Sequence, residues 1–125
     1  MTISGASVVR IELNDRGDPV AFDLDQTGMT MDNAWHDWDV SAIVGPDASW
    51  VLLRANIIHS STPRQLMFRK NGNANLIAIE TVQIHVADIL HDAQFFVPCD
   101  VNGVIEYKVS AAADGVNVAV LGWIN

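Results

Sequence analysis

The stretch 100–110, DVNGVIEYKVS, decides the fold class. Its first four residues contain the pair Asn102-Gly103, which tolerates the positive φ angles of a tight hairpin turn. Ile105, Tyr107 and Val109 then alternate with more polar neighbours, the period of two that is typical of a strand with one buried face. The stretch therefore predicts a turn followed by an antiparallel strand.

The same combination of turn and strand recurs along the whole chain. Turn-forming groups occur at 14–19, 25–28, 44–48, 61–64, 70–73, 100–103 and 112–115. Between them we predict strands at 7–13, 20–24, 38–44, 49–59, 65–70, 76–87, 93–97, 103–110 and 117–124; the segment 82–92 also fits one helical turn around Asp88. The nearly continuous apolar run Trp50 to Ile58 predicts a central strand covered on both faces. We expect an all-β fold, a single jelly-roll-like antiparallel β-sandwich of about eight or nine strands.

Length and composition favour one folded domain spanning residues 1–125. Half of the residues are apolar and 18% are charged, so the chain has enough apolar surface to form a core. A single cysteine, Cys99, predicts a reducing compartment and an inert buried thiol. The start MTISGASVV predicts no secretory signal, and the apolar runs are shorter than the roughly 18 residues of a membrane helix.

The net charge of −8 is concentrated in the first part of the chain. Residues 1–47 carry nine acids and two arginines, for a local charge of −7. Nucleic-acid binding needs clustered Lys and Arg to displace counterions from phosphates, so we expect no nucleic-acid partner and no membrane partner. A basic protein surface, or simply solvent, is the better match for this acidic segment.

The segment 34–39, AWHDWD, is the densest group of reactive and aromatic side chains. One hypothesis makes His36 a general base or metal ligand tuned by Asp37 or Asp39. Adjacent strand residues point to opposite faces, however, so an extended His36 diverges from Asp37. We favour a structural or contact role and name Trp35, His36, Trp38 and Trp123 as candidate interface residues.

The other groups of residues that could form a catalytic or metal site lack part of the required pattern. The histidines at 36, 59, 85 and 91 lack the spacing of zinc motifs, so a small metal-dependent β-barrel enzyme requires the fold to gather three of them. The stretch 23–34 begins like a calcium loop but has Ala34 at the twelfth position, where a glutamate should coordinate. No Gly-x-Ser-x-Gly elbow and no phosphate loop is present. We expect a protein that is not an enzyme and has no cofactor, no catalytic residue and no metal site.

Four separate segments of the chain belong to one pattern of strand and turn motifs. They are WDVSAIVGPDASWVLLRANI at 38–57, FRKNGN at 68–73, VPCDVNGVIEYKVS at 97–110 and VAVLGWIN at 118–125. Together they resemble small structural proteins of tailed-bacteriophage virions, and the similarity covers roughly residues 38–125. Gly45 stands before Pro46 where that pattern has valine. The matching motifs are strand and turn motifs, not catalytic ones.

The resemblance implies a virion component that forms a symmetric homo-oligomer, with a trimer expected. The favoured role is a capsid decoration, or cement, protein that binds the major capsid protein and reinforces capsomer contacts after assembly in the host cytoplasm. The alternative is a tail-fibre or baseplate module that binds a host receptor or glycan. Residues 1–37 lie outside the match and form either an arm reaching a neighbouring protein or the first strands of the sandwich.

Overall fold

A computed structural model describes residues 11–125. Its elements are β1 (Leu13–Asp15), β2 (Leu24–Asp25), β3 (His36–Asp39), α1 (Ser41–Val44), β4 (Trp50–Ile58), β5 (Gln65–Lys70), β6 (Glu80–Gln83), β7 (His91–Pro98), β8 (Val104–Val109) and β9 (Gly115–Ile124). Within the described range, no helix is long and apolar enough to cross a membrane.

Residues 11–125 form nine strands in two antiparallel sheets packed face to face. Sheet A has the order β1-β9-β4-β7, with β2 also paired to β9, and sheet B has the order β3-β8-β5-β6. Because β1 and β2 pair with successive parts of β9, they share one position beside it. Counting β1 and β2 together as strand 1, and β3 to β9 as strands 2 to 8, sheet A has the order 1-8-3-6 and sheet B has the order 2-7-4-5. This is the strand order of a jelly roll. The predicted jelly-roll-like β-sandwich is confirmed.

The core lies between the sheets and follows from strand alternation. The inward side chains of β4 have no exposed surface, namely Val51, Leu53, Ala55 and Ile57. Across from them, Ile105, Tyr107 and Val109 of β8 are buried as the alternation predicts. Phe68 of sheet B contacts Phe95 of sheet A with ring centroids 5.6 Å apart, so aromatic packing joins the two layers.

The described part of the acidic N-terminal segment, residues 11–37, contributes β1, β2 and the start of β3. β1 and β2 pair with β9 of sheet A, and β3 pairs with β8 of sheet B. Residues 1–10 lie outside the described residues, and they include most of the predicted strand 7–13. The strand found in this region is β1, which begins at Leu13.

The predicted strand 38–44 is wrong from Val40 onward. β3 ends at Asp39, whose carboxylate accepts the backbone N–H of Ser41 at 2.9 Å. Such a local bond offers the backbone an alternative to the strand ladder, and α1 follows at once. The N–H of Val40 is donated to the Gly103 carbonyl at 2.9 Å, which anchors this turn to the β7–β8 connection.

Two other predicted strands are shorter than expected. Of the segment 76–87 only β6 is extended, because Leu76 and Ile77 project into solvent in the β5–β6 connection, 80% and 94% exposed. Of the segment 20–24 only the last residue belongs to β2, since Val20 lies fully exposed on a loop. In both cases apolar residues that the sequence places in strands lie on the surface.

β4 is a central strand, between β9 and β7, as the apolar run predicts. The prediction that both of its faces are covered is wrong. The face opposite the core carries Trp50, which is 43% exposed, and Arg54, whose side chain is 44% exposed. The outer face of sheet A is therefore partly open to solvent.

Candidate functional site

Three of the four candidate interface residues lie in or directly before β3, the edge strand of sheet B. His36 and Trp38 stand opposite Tyr107 and Ile105 of β8, which are core residues, so these two side chains share the inner face. Trp35 lies against residues of the outer face. All three side chains are half-buried.

The imidazole of His36 contacts Asp32, a partner four residues earlier in the chain. Its Nε2 lies 2.7 Å from the Oδ1 of Asp32, and its ring centroid is 5.6 Å from that of Tyr107. This hydrogen bond is the main reason why the pKa of Asp32 is lowered. Asp37 and Asp39 are exposed on the other face of β3. The His36–Asp32 pair thus ties the preceding loop to the sheet edge, and neither carboxylate invoked by the general-base hypothesis is the partner of the imidazole.

Trp35 covers a buried ion pair on the outer face of sheet B. The Nε of Arg69 lies 2.5 Å from the Oε1 of Glu106, and the two side chains are only 12% and 11% exposed. The indole of Trp35 stacks on the guanidinium, with Cζ of Arg69 4.0 Å from the ring centroid and Nζ of Lys108 5.5 Å from it. This arrangement is a cation–π contact that also shields the ion pair from water.

Trp38 and Trp123 both pack against the hydrophobic core. They lie in different sheets, Trp38 on β3 and Trp123 on β9. Trp50 is the tryptophan with the large exposed area, 43%. Sequence reasoning missed it because the unbroken apolar run around it gives no sign of which face is open.

The remaining histidines form local contacts. His91 is held by two bonds, since its Nε2 accepts the His85 N–H at 3.1 Å and its Nδ1 donates to the Ile89 carbonyl at 2.9 Å. The Nδ1 of His59 lies 3.4 Å from an Asp114 oxygen, close enough for an ion pair but without the geometry of a hydrogen bond. Among residues 11–125, no three His, Cys, Asp or Glu side chains gather as a metal ion would require.

The two aspartates of the calcium-like stretch are already bonded by protein donors. The guanidinium of Arg16 binds both oxygens of Asp23, and one of these oxygens also accepts the N–H of Val120 at 2.8 Å. Asp25 accepts from Thr27, whose hydroxyl lies 2.6 Å away and is the main reason why the pKa of Asp25 is lowered. These carboxylates shape the loops beside β9.

Cys99 is a buried thiol next to the β7–β8 turn. Its Sγ donates to the Ala48 carbonyl at 3.2 Å. Burial is the main cause that raises the pKa of Cys99, and the negative charge of Asp100 acts in the same direction. A thiol with a raised pKa is a poor nucleophile.

One end of the sandwich, which we call the apolar end, carries three strongly exposed apolar side chains on neighbouring connections. It consists of the β3–β4, β5–β6 and β7–β8 connections, residues 40–49, 71–79 and 99–103. Asn71 donates to Asp100 at 2.8 Å, so the second and third connections are in direct contact. Leu76, Ile77 and Val101 are 80%, 94% and 92% exposed.

Three carboxylates and one base also belong to this end of the sandwich. Asp39, Asp47 and Asp100 lie in or directly before the same connections, and so does Lys70, whose positive charge helps to lower the pKa of Asp100. Burial opposes the ionisation of Asp100, but bonds from Asn71 and from two backbone N–H groups lower its pKa overall. The pKa of Asp39 is lowered as well, mainly through its bond to Ser41. The apolar end therefore combines exposed aliphatic groups with negative charge at neutral pH.

No protein-family model and no curated protein matches this chain.

Proposed function

We propose that this chain is a non-enzymatic structural protein of a tailed-phage virion, a decoration protein that sits on the outer shell and reinforces capsomer contacts. It would act as a homo-oligomer, with a trimer expected, after assembly in the host cytoplasm. The observation that supports this role is the apolar end, where Leu76, Ile77 and Val101 are almost fully exposed on connected loops. The phage-like motifs supply the class of protein, and the apolar end supplies a contact surface.

Loops held on a rigid sandwich are suited to protein binding. The β7–β8 turn is fixed by Asp100, which accepts the N–H groups of Asn102 and Val104 and the amide of Asn71. A fixed loop loses little conformational freedom on association, so more of the contact energy remains for binding. Exposed aliphatic side chains at such positions gain affinity when a partner removes them from water.

The charge of the apolar end indicates the kind of shell surface it would meet. Asp39, Asp47 and Asp100 favour a basic area of the major capsid protein, with apolar recesses for the aliphatic side chains. Because the exposed carboxylates are screened by ions, we expect binding to weaken moderately as ionic strength rises. The aliphatic contact would persist at high salt.

A co-sedimentation assay with expanded empty capsids of the phage that encodes this chain tests the proposal. We expect saturable binding, and we expect Ile77→Asp or Val101→Asp to weaken it by about tenfold or more. The matched control is Leu90→Asp, at a residue 48% exposed in the β6–β7 connection.

That control lies at the opposite end of the sandwich. In the same connection, Asp88 lies in a turn with φ 63°, not in a helix, and donates its N–H to the His59 carbonyl at 2.9 Å.

Capsid binding that is absent, or that all three variants weaken equally, would refute the proposal. Saturable binding to a tail structure or host receptor instead would favour the tail-module alternative.

A further inference from the structure

The imidazole of His91 binds the β6–β7 connection at two points. Its Nε2 accepts the backbone N–H of His85 at 3.1 Å, and its Nδ1 donates to the carbonyl of Ile89 at 2.9 Å. A backbone N–H can only donate and a carbonyl can only accept, so the ring that makes both bonds is neutral and carries its proton on Nδ1. A single uncharged tautomer thus holds residues on both sides of the turn at Asp88.

We call this connection, residues 84–90, the strap. It leads from β6 of sheet B to β7 of sheet A. In its middle, Asp88 donates its N–H to the His59 carbonyl at 2.9 Å. Asp88 has a φ of 63°, a left-handed conformation that costs energy in residues other than glycine. The closed strap therefore depends on bonds such as the two that His91 supplies.

Packing alone holds the strap weakly. Ile84, at its start, is 1% exposed and donates its N–H to the Arg64 carbonyl at 2.9 Å. Beyond it, Val86, Ile89 and Leu90 are 52%, 55% and 48% exposed. A segment with few buried apolar contacts opens at a low cost in free energy, so its hydrogen bonds have a large share in keeping it closed.

Protonation of His91 is incompatible with this arrangement. In the imidazolium both ring nitrogens donate, so Nε2–H would point at the N–H of His85 and that bond would be lost. Histidine takes up its proton between about pH 5 and pH 8. Because the strap binds the neutral ring, its closed form is supported above the pH at which His91 is protonated and loses that support as the pH falls through it.

Within residues 11–125, no carboxylate forms an ion pair with His91 that would stabilise the protonated ring. The ring of His85 lies 6.0 Å from that of His91 between centroids, and a proton on it would add like charge. Asp92, the next residue, is bound by Arg54 at 2.7 Å on the outer face of sheet A. The other charged or titratable side chains on adjoining segments are the exposed Asp88, Arg64, and the pair of His59 with Asp114.

We propose that the strap is a pH-sensitive element that is closed while His91 is neutral and opens when His91 is protonated. Opening would fully expose Val86, Ile89 and Leu90, while Ile84 and the strands of both sheets stay in place. This behaviour does not depend on the proposed virion role, because the apolar end lies at the other end of the sandwich.

Nuclear magnetic resonance of the full chain tests the strap directly. At about pH 7.5 the ring nitrogen shifts of His91 should show the proton on Nδ1. Between about pH 7.5 and about pH 5.5, the hydrogen-exchange protection of the His85 and Asp88 amides, relative to their intrinsic exchange rates, should fall by about fivefold or more. Protection of the Leu53 amide in β4 should not change, because β4 lies outside the strap. A proton on Nε2, unchanged strap protection, or an equal fall at Leu53 would overturn the proposal.

Three histidine variants identify the group that responds to pH. His91→Gln offers an amide oxygen near the Nε2 position that accepts a hydrogen bond but does not titrate, so strap protection should lose its pH dependence. His85→Gln should keep the fall in protection, because His85 contributes its backbone N–H and not its ring. His59→Gln should keep it too, since protonation of His59 favours its pairing with Asp114, 3.4 Å away, and not opening. If His91→Gln retains the pH dependence, or either of the other variants loses it, the proposal is wrong.

His36 supplies a contrast within the same sample. Its Nε2 faces the Asp32 carboxylate at 2.7 Å, so protonation of this ring strengthens the contact. The amide of Ala34 donates to the same carboxylate at 3.1 Å and should keep its protection at about pH 5.5. A fall at Ala34 equal to that at His85 would indicate a general effect of acid on the loops and would contradict a response specific to His91.

Discussion

The ion pair between Arg69 and Glu106 provides the sharpest test of how sheet B is held together. Replacing Glu106 by Gln keeps the shape of the side chain but leaves the guanidinium of Arg69 without its counter-charge. Both side chains are nearly buried, 12% and 11% exposed, and Trp35 covers the guanidinium at 4.0 Å. Since water has little access to the unpaired charge, we expect the free energy of unfolding to fall by about 3 kcal/mol.

A double variant measures how much the interaction between Arg69 and Glu106 contributes to stability, apart from the effect of each side chain alone. Arg69→Met alone should cost about 3 kcal/mol, because it strands the Glu106 carboxylate. With both substitutions no charge remains unpaired, so the total loss should fall short of the sum of the single losses by roughly 2 kcal/mol. Equilibrium urea unfolding at low protein concentration measures all four proteins on one scale.

An exposed ion pair in the other sheet is the control. Arg54 and Asp92 have side chains 44% and 36% exposed, so solvent already screens their attraction. Arg54→Met should therefore change stability much less than Arg69→Met does. Additive losses for Arg69 and Glu106, or equal losses for the two arginines, would refute the claim that Trp35 and the surrounding sheet keep water from this pair.

Three further predictions concern single positions. Gly122→Ala should lower the free energy of unfolding by about 1–3 kcal/mol, because an added Cβ would lie 2.4 Å from the Asn14 carbonyl and push β1 from β9; thermal unfolding measures it. Asp100→Asn should lower the free energy of unfolding at pH 7, because the ionised Asp100 carboxylate accepts hydrogen bonds from Asn71 and from two backbone N–H groups. These bonds lower the pKa of Asp100 below 3.8, so their contribution to stability is present above pH 3.8 and is lost as the pH falls through the lowered pKa. Unfolding curves of the wild-type and variant proteins should therefore converge at that low pH. Trp35→Ala should destabilise by about 1–2 kcal/mol and make stability more sensitive to salt, since it admits ions to the buried pair; salt-dependent urea unfolding decides it.

The strands that alternation or an apolar run marks clearly were predictable. The residues at 104–109 form β8 with Ile105, Tyr107 and Val109 inward, and the run Trp50–Ile58 is β4 in the centre of its sheet. Both patterns depend on which side chains face the core, which is a local property of the strand. The jelly-roll-like sandwich follows from many such strands separated by turns.

Features that depend on distant residues were not predictable. An apolar run does not show which face lacks a covering layer, so the exposure of Trp50 was missed. The strand expected at 38–44 ends after Asp39, because the Asp39 carboxylate accepts the N–H of Ser41 and a short helix follows, a local competition that β propensity does not weigh. The guanidinium that stacks on Trp35 belongs to Arg69, far along the chain, and only strand pairing brings the two side chains together.

A cryo-EM reconstruction of the virion whose genome encodes this chain tests the proposed role most directly. The proposal predicts density for a nine-stranded sandwich on the outer surface of the head, with Ile77 and Val101 of the apolar end turned toward the shell. Density for this fold in the tail, or a head whose outer surface lacks it, would contradict the decoration role.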